Sequence, residues 1–232
     1  MAFNHRSFRR NLGRLRERIG TVCEKCGRSP DSINLMAVTK GFPLEVAATA
    51  VEAGLTTLGE NRVQEGVGKI KAANFPAQWE LIGHLQSNKA QLAVKCFHRI
   101  QSVDSVKLAL RLNRMAAANQ KKLPILLQVN TGEDPGKFGF RTEEMEAVLH
   151  QLLGQDGLAI QGLMTIAPAP PNLESARQSF ETLRRLRDRL EERLALRLPE
   201  LSMGMTFDLE PAIAAGSTCL RVGSGLFGPR PK

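Results

Sequence analysis

The stretch "INLMAVTKGFP", residues 33–43, combines the pattern of a buried strand with a charged end. Six of its first seven residues are apolar or small, which fits a strand of a parallel sheet covered on both faces. The run leads directly into Lys40, and Gly41 and Pro43 then turn the chain. The sequence therefore predicts a core strand that presents an ammonium group at its C-terminal end.

Seven further apolar runs follow this one, and helical patterns separate them. The predicted strands cover residues 33–40, 56–60, 79–83, 99–104, 124–130, 160–166, 200–205 and 219–224. The predicted helices cover residues 44–53, 61–73, 88–95, 105–120, 142–153, 173–196 and 208–215, after an amphipathic helix at the N-terminus. This alternation of continuous apolar runs with helices indicates a parallel sheet with crossover helices.

Eight strand–helix units within 232 residues predict an α/β fold of the (β/α)8 TIM-barrel type. A doubly wound open sheet is the alternative. Polar and charged residues fall at the C-terminal ends of the runs, where a barrel builds its site. We expect residues 1–232 to form a single domain, with residues 1–30 as an additional N-terminal helical extension packed on the barrel.

The composition is that of a soluble globular protein, with 42% hydrophobic and 24% charged residues. The Arg-rich N-terminus lacks the apolar region of a secretory signal, so we expect a cytoplasmic location and no membrane partner. The net charge of +9 leaves a nucleic-acid-binding module open as a hypothesis. Much of this charge lies in mixed-charge helices such as residues 174–198, and we therefore expect no nucleic-acid partner.

Two motifs suggest other chemistry, but their contexts do not support it. Cys23 and Cys26 form a CxxC pair, whereas a zinc site needs four ligands, and Cys96 and His98 are not spaced to complete one. We therefore predict no metal site. The string "GSGLFG" matches the dinucleotide fingerprint, but it closes the chain, which ends at Lys232, instead of opening the first strand–helix unit.

Lys40 permits three interpretations: an exposed side chain, a point charge for phosphate, or a desolvated amine that forms a Schiff base with an aldehyde. The loops after strands seven and eight favour the last two. Their small residues allow backbone N–H groups to approach a phosphate, as Ser202, Gly204, Gly223 and Ser224 would. Pyridoxal 5′-phosphate carries both an aldehyde and a phosphate, so it would satisfy both features.

Several segments together resemble one known family across residues 33–228. They are "LMAVTKGFP", "LGENRVQE", "WELIGHLQSNK", "SVDSVKLA", "QVNTGEDPGKFGF", "QGLMTIAP" and "LSMGMTFDLEPAIAAGSTCLRVGSGLFG". They resemble the pyridoxal phosphate homeostasis protein family, also described as proline synthetase co-transcribed proteins. The resemblance implies a fold-type-III barrel similar to the N-terminal domain of alanine racemase. It also implies a role in intracellular vitamin B6 homeostasis.

The same resemblance implies the binding site. Pyridoxal phosphate would be held as an internal aldimine on Lys40, with Asn61 near its ring and Arg221 at its pyridine nitrogen. The residues implied around the phosphate are Ser202, Met203, Gly223 and Ser224, beside Gly204 of the same loop. Thr206 departs from the family pattern, in which a serine is common, but it keeps a hydroxyl group.

The implied site argues against strong catalysis, and we predict no catalytic residues. Arg221 cannot hold the pyridine nitrogen protonated, which makes the ring a weaker electron sink. The chain contains no tyrosine to serve as the second base of a racemase. A racemase-like enzyme remains the alternative, with His84 and Cys219 as candidate bases. Lys137 is a candidate second amine.

A reversible Schiff base would shield the aldehyde of the cofactor from water and still allow the cofactor to be released. Apo-enzymes that use pyridoxal phosphate are therefore candidate recipients. The long helix at residues 173–196 has a polar face, and we expect a monomer.

Overall fold

The structure is a computed structural model that describes residues 3–168 and 172–230. Its strands are β1 Asn34–Val38, β2 Thr57–Glu60, β3 Gln78–Leu81, β4 Arg99–Val103, β5 Leu123–Gln128, β6 Leu158–Met164, β7 Glu200–Ser202 and β8 Cys219–Val222. Its helices are α1 His5–Lys25, α2 Leu44–Glu52, α3 Val63–Ala72, α4 Ala90–Cys96, α5 Val106–Ala118, α6 Met145–Leu152, α7 Leu173–Leu194, α8 Leu209–Ala214 and α9 Ser224–Phe227. Strand and helix alternate along the chain, with one helix ahead of β1.

The strands form one closed parallel barrel in chain order. The last strand returns beside the first, where Met36 pairs with Arg221 and Ala37 pairs with Val222. A doubly wound sheet remains open at both edges, whereas this sheet has no edge. The predicted (β/α)8 barrel is therefore confirmed, and the open-sheet alternative is wrong.

The period of two along each strand divides the buried side chains between two layers. Ala37 of β1 and Leu220 of β8 belong to the large apolar cluster under the helices. Met36 and Cys219 belong to a separate small cluster on the opposite face of these strands, inside the barrel. The apolar packing expected for Cys219 from its sequence context is what the structure has.

The barrel interior also contains buried polar side chains. Arg99 Nε donates to Glu80 Oε2 at 2.9 Å, and Gln101 Nε2 donates to the same oxygen at 2.6 Å. All three residues are buried. A buried carboxylate needs such donors, since an unpaired one would cost several kcal/mol, roughly.

Helix α1 packs on the outside of the barrel against α8 and α9. The buried ring of Phe8 stacks on Phe227, with centroids 5.6 Å apart and planes at 8°. Beyond the helix, Arg28 donates to the carbonyl oxygens of Ile213 and Ser217, each at 2.7 Å. These contacts support the single domain proposed from the sequence, in which the N-terminal extension is part of the barrel unit.

The first helix carries the CxxC pair at its end, with Cys23 buried and Cys26 exposed. In residues 3–168 and 172–230, no group of three or more His, Cys, Asp or Glu side chains could hold a metal ion. None of the helices described there is long and apolar enough to cross a membrane.

The boundaries of β1 and β8 differ from the sequence prediction in ways that affect the site. Strand β1 ends at Val38, so Lys40 lies in the turn after the strand and not in the strand itself. Gly41 follows with φ of 72°, a conformation that glycine adopts at little cost. At the other end of the chain, β8 ends at Val222 and the short helix α9 begins at Ser224. The sequence pattern did not predict α9, because four residues are too few to show a helical period.

Replacing Phe8 by alanine tests whether α1 belongs to the cooperative barrel unit. We expect Phe8→Ala to lower the free energy of unfolding by about 3–5 kcal/mol, because it leaves a cavity between α1 and α9. Denaturant unfolding followed by circular dichroism should show one transition at lower denaturant concentration. Phe207→Ala is the matched control, since that ring is 71% exposed. An unchanged main transition with a separate early loss of helix would contradict the single domain.

Candidate functional site

A cavity of about 600 Å³ opens at the C-terminal ends of the strands. Its lining contains five of the eight residues that the sequence analysis implied as cofactor-binding. They are Lys40, Asn61, Arg221, Gly223 and Ser224. They come from the loops after β1 and β2, from β8, and from the loop that follows β8. The barrel closure makes β1 and β8 neighbours, so the amine and the last loop lie side by side and do not face each other across the mouth.

Lys40 has the surroundings of a reactive amine. Burial lowers the pKa of its ammonium group, and the positive charges of Arg230 and Arg221 lower it further, whereas Glu60 raises it. Desolvation and nearby cations both disfavour the charged form. A larger fraction of Lys40 is therefore the neutral amine, which is the nucleophilic form.

Arg221 is buried inside the barrel without a carboxylate as its direct partner. Its Nη1 donates to Ser202 Oγ at 2.7 Å, and its Nη2 donates to the Thr165 carbonyl oxygen at 2.8 Å. Ser202 Oγ donates in turn to Gln101 Oε1 at 2.6 Å, and Gln101 Nε2 reaches Glu80. Along this series of hydrogen bonds, the side chains of Ser202 and Gln101 separate the guanidinium from the Glu80 carboxylate. Burial lowers the pKa of Arg221, but an arginine stays protonated at neutral pH.

The loops after β7 and β8 approach each other closely. Gly225 N donates to Thr206 Oγ1 at 3.1 Å, and the Thr206 and Ser224 hydroxyl oxygens lie 3.4 Å apart. A Cβ on Gly225 would lie 2.8 Å from the Thr206 methyl carbon, so only glycine permits this approach. Helix α9 begins at Ser224, and its Leu226 and Phe227 N–H groups donate to the Gly223 carbonyl oxygen, each at 2.9 Å. The hydroxyl groups of Thr206 and Ser224 remain as groups that can donate to an anion.

Three predicted residues of the β7 loop do not line this cavity. Ser202 lies inside the barrel, where its hydroxyl group is already bound to Arg221 and Gln101. Met203 is fully buried in the apolar layer under the helices. Gly204 has φ of 95°, and a Cβ on it would collide with α8 and with β8. Since β7 ends at Ser202, the chain turns at Gly204 and the cavity receives Met205, Thr206 and Phe207 instead.

Sequence reasoning missed Arg230, whose side chain lines the cavity beside Lys40. Its Cδ would lie 2.9 Å from a Cβ placed on Gly41, so the arginine stem packs on that glycine. The only sequence signal for this contact is an arginine shortly after the "GSGLFG" string. Nothing local links it to Gly41, which lies 189 positions earlier.

His84 lies at the mouth on the side of β3. Its Nδ1 is 2.8 Å from Asp104 Oδ2, and its ring stacks on Phe138 with centroids 3.8 Å apart. The carboxylate fixes the orientation of the imidazole, as expected for a residue that holds the rim. Lys137 lines a smaller neighbouring cavity of about 140 Å³ and donates to the Ala167 carbonyl oxygen at 2.5 Å.

The described lining of the main cavity contains Lys40, Arg221 and Arg230 but no aspartate or glutamate. Phe42, Ile82 and other apolar side chains complete its walls. Such a cavity fits a flat ligand with a negative charge and an electrophilic carbonyl carbon. Pyridoxal phosphate has all three features, so the residues present fit this cofactor.

Comparisons with known proteins agree with this geometry. The family model described as "Alanine racemase, N-terminal domain" matches residues 10–231. The pyridoxal phosphate homeostasis protein of Vibrio alginolyticus is 37% identical over 229 residues, which cover 97% of this chain and 98% of that protein. The protein of the same name from Escherichia coli K12 is 38% identical over 227 residues, covering 95% of each.

Two solved structures are similar to this chain over nearly its whole length. PipY of Synechococcus elongatus with pyridoxal phosphate bound superposes with a TM-score of 0.84 at 37% identity, covering 95% of this chain and 100% of that one. An alanine racemase of Clostridium difficile has a TM-score of 0.80 at 17% identity, covering 99% of this chain and 58% of that one. The second match shows a shared fold.

The charges around Lys40 lead to a prediction for the cofactor-free protein. The pH midpoint for reductive methylation of Lys40, followed by mass spectrometry, should lie below the ~10.4 of an ordinary lysine. In Arg230→Ala the midpoint should move upward, because a neighbouring cation that disfavours the ammonium is removed. Arg9→Ala, on the exposed part of α1, should leave it unchanged. Equal midpoints in all three proteins would contradict this account of the site.

Proposed function

The chain belongs to the pyridoxal phosphate homeostasis protein family, and from this premise we propose that it binds pyridoxal 5′-phosphate through Lys40 in intracellular vitamin B6 homeostasis. One observation carries the proposal: a desolvated lysine and two loops with hydroxyl groups lie side by side in a cavity whose described lining contains cations and no carboxylate. Relatives that cover nearly the whole chain carry this family name.

Each side chain has a proposed task in holding the cofactor. When bound, pyridoxal phosphate supplies an aldehyde carbon, to which a primary amine bonds with loss of water. Lys40 provides that amine from a turn fixed to the barrel rim. Gly223, Ser224 and Thr206 would bind the phosphate, and Asn61 would contact the ring. Thr206 takes the place that the sequence analysis gave to Ser202, whose hydroxyl group is occupied inside the barrel.

We propose that Arg221 binds the pyridine nitrogen and thereby limits catalysis. A guanidinium donates a hydrogen bond but does not give up its proton, so the nitrogen stays unprotonated and withdraws few electrons. The supporting geometry is the hydrogen bonding of Arg221 to Ser202 and to a backbone carbonyl, which holds the guanidinium in place. The protein would then retain and release the cofactor without efficient chemistry on amino acids.

The alternative function, an amino-acid racemase, has the shared alanine racemase fold in its favour. It needs a second base opposite Lys40, and the chain has no tyrosine. Burial raises the pKa of the Cys219 thiol to about 11, so its thiolate is scarce at neutral pH. His84 is fixed by Asp104 and Phe138 at the rim. We therefore propose that neither residue replaces the missing base.

Three expectations about the cellular context remain proposals. The protein would act in the cytoplasm and as a monomer, and it would pass the cofactor to apo-enzymes. Phe138 and Phe207 support the last point, since they lie exposed beside the cavity, where a recipient would approach.

The substitution Lys40→Ala tests the binding proposal. Purified wild-type protein incubated with pyridoxal phosphate should turn yellow, and borohydride should fix the cofactor to the peptide that contains Lys40. Lys40→Ala should stay colourless and lose the cofactor on dialysis, since only phosphate and ring contacts remain. Mass spectrometry of the reduced protein locates the attachment site.

Two lysine variants provide the controls for this test. Lys107→Ala, on the exposed face of α5, should behave as the wild type. Lys137→Ala should also retain the label, because that amine is already bound to Ala167 O and lies 3.7 Å from Asp134. Attachment at a residue other than Lys40 in the wild type would contradict the proposal.

Proton exchange at Cα distinguishes a carrier from a racemase. Alanine or serine incubated in heavy water with the cofactor-loaded protein should show little exchange above that of free pyridoxal phosphate, because a second base and a protonated pyridine nitrogen are both missing. Proton NMR of the amino acid follows the reaction. Substantial exchange that disappears in Lys40→Ala would overturn the non-catalytic proposal and favour the racemase.

A further inference from the structure

Charged side chains hold the backbone on both sides of Lys40. Before it, Lys69 Nζ donates to the Thr39 carbonyl oxygen at 2.7 Å. After it, Gly41 N donates to Glu65 Oε1 at 2.6 Å. Glu65 and Lys69 both belong to α3, one helical turn apart, and they bind each other at 2.9 Å. One helix therefore holds both peptide groups that flank the proposed attachment residue.

Glu60, at the end of β2, completes this cluster. Its Oε1 accepts from Lys69 Nζ at 2.7 Å and from Thr39 Oγ1 at 2.6 Å. Lys69 thus uses its three protons on Glu60, Glu65 and the Thr39 carbonyl group. We call Glu60, Glu65 and Lys69 the α3 clamp.

Stability alone does not explain the α3 clamp. Glu60 is fully buried, and its Oε2 has no hydrogen-bond partner in the part of the chain that the structure describes. Burial raises the pKa of Glu60, although hydrogen bonds from Lys69 and Thr39 lower it. Buried charged groups with an unpaired oxygen are commonly less stable than apolar side chains of the same volume. A role in positioning Lys40 explains why these charged groups are present, whereas stability does not.

We propose that Glu65 and Lys69 are positioning residues for the cofactor-binding amine, and that they direct Lys40 Nζ towards the aldehyde by fixing the peptide groups on either side of it. The proposal rests on the proposed function and extends it to residues outside the cavity. Neither residue lines the cavity, so neither touches a ligand there. They hold the backbone around Lys40 in place before the covalent bond forms. Less conformational entropy is therefore lost when the bond forms.

The positioning role predicts a specific coupling between Glu65 and Lys40. In the wild-type background, Glu65→Ala should weaken the apparent affinity for pyridoxal phosphate about tenfold, the cost of one charge-assisted hydrogen bond. In the Lys40→Ala background, the same change should alter the remaining affinity by less than about twofold. Isothermal titration calorimetry of the wild type, the two single variants and the double variant gives a double-mutant cycle. The difference between the effects of Glu65→Ala in the two backgrounds measures the coupling.

Two conservative variants separate positioning from a loss of structure. Glu65→Gln keeps an oxygen for Gly41 N and should stay within about threefold of the wild-type affinity. Glu65→Asp keeps the charge but shortens the reach, so it should resemble Glu65→Ala. The Glu65 side chain is 29% exposed, and we expect all variants to fold, which circular dichroism would verify.

The outcomes distinguish this inference from the proposed function. If Lys40→Ala binds pyridoxal phosphate as tightly as the wild type, the proposed function itself fails. If Lys40→Ala behaves as proposed but Glu65→Ala weakens binding equally in both backgrounds, Glu65 acts on the cavity in general and the positioning role is wrong. A Glu65→Gln variant as weak as Glu65→Ala would also overturn it.

Discussion

The parallel pairing of β8 with β1 is the constraint on which the site depends. Met36 lies opposite Arg221 in that register, and the chain leaves both strands at the same rim. Closure therefore brings the turn that carries Lys40 beside the loop at Gly223 and Ser224, although more than 180 residues separate them in sequence. Strand alternation then places Arg221 inside the barrel, where it lowers the pKa of Lys40. A shift of one residue would turn Arg221 outward and remove that cation from the cavity.

The polar barrel interior follows from the need to bury this arginine. A buried guanidinium is costly unless its donors are satisfied, and Ser202 and the Thr165 carbonyl oxygen satisfy two of them. A direct carboxylate would do so more strongly, but it would place a negative charge in a cavity for which we propose an anionic ligand. Glu80 instead lies two side chains away and pairs with Arg99. Arg99 is thus paired in the interior, while the described lining of the cavity stays positive.

The sequence predicted the strands and helices well because their apolar periods are local. It located Lys40 because that residue follows a recognisable strand, whereas Arg221 was expected at the site from the family resemblance. The sequence shows less where side-chain direction depends on a turn. Ser202, Met203 and Gly204 are adjacent to the cavity in sequence, yet β7 ends so early that Thr206 reaches the cavity instead. Arg230 could not be predicted, since its contact with Gly41 joins distant parts of the chain. The same holds for the hydrogen bond between Glu65 and Gly41, which depends on how α3 packs against β2 and β3.

Cation placement also links ligand charge to the state of the amine. Before an anion enters, Arg221 and Arg230 disfavour the ammonium form of Lys40, so the amine is available to attack an aldehyde. A phosphate bound beside them would offset these charges and favour protonation near Lys40. By thermodynamic linkage, conditions that favour protonation also favour anion binding. The phosphate group and the amine would therefore respond to the same charges.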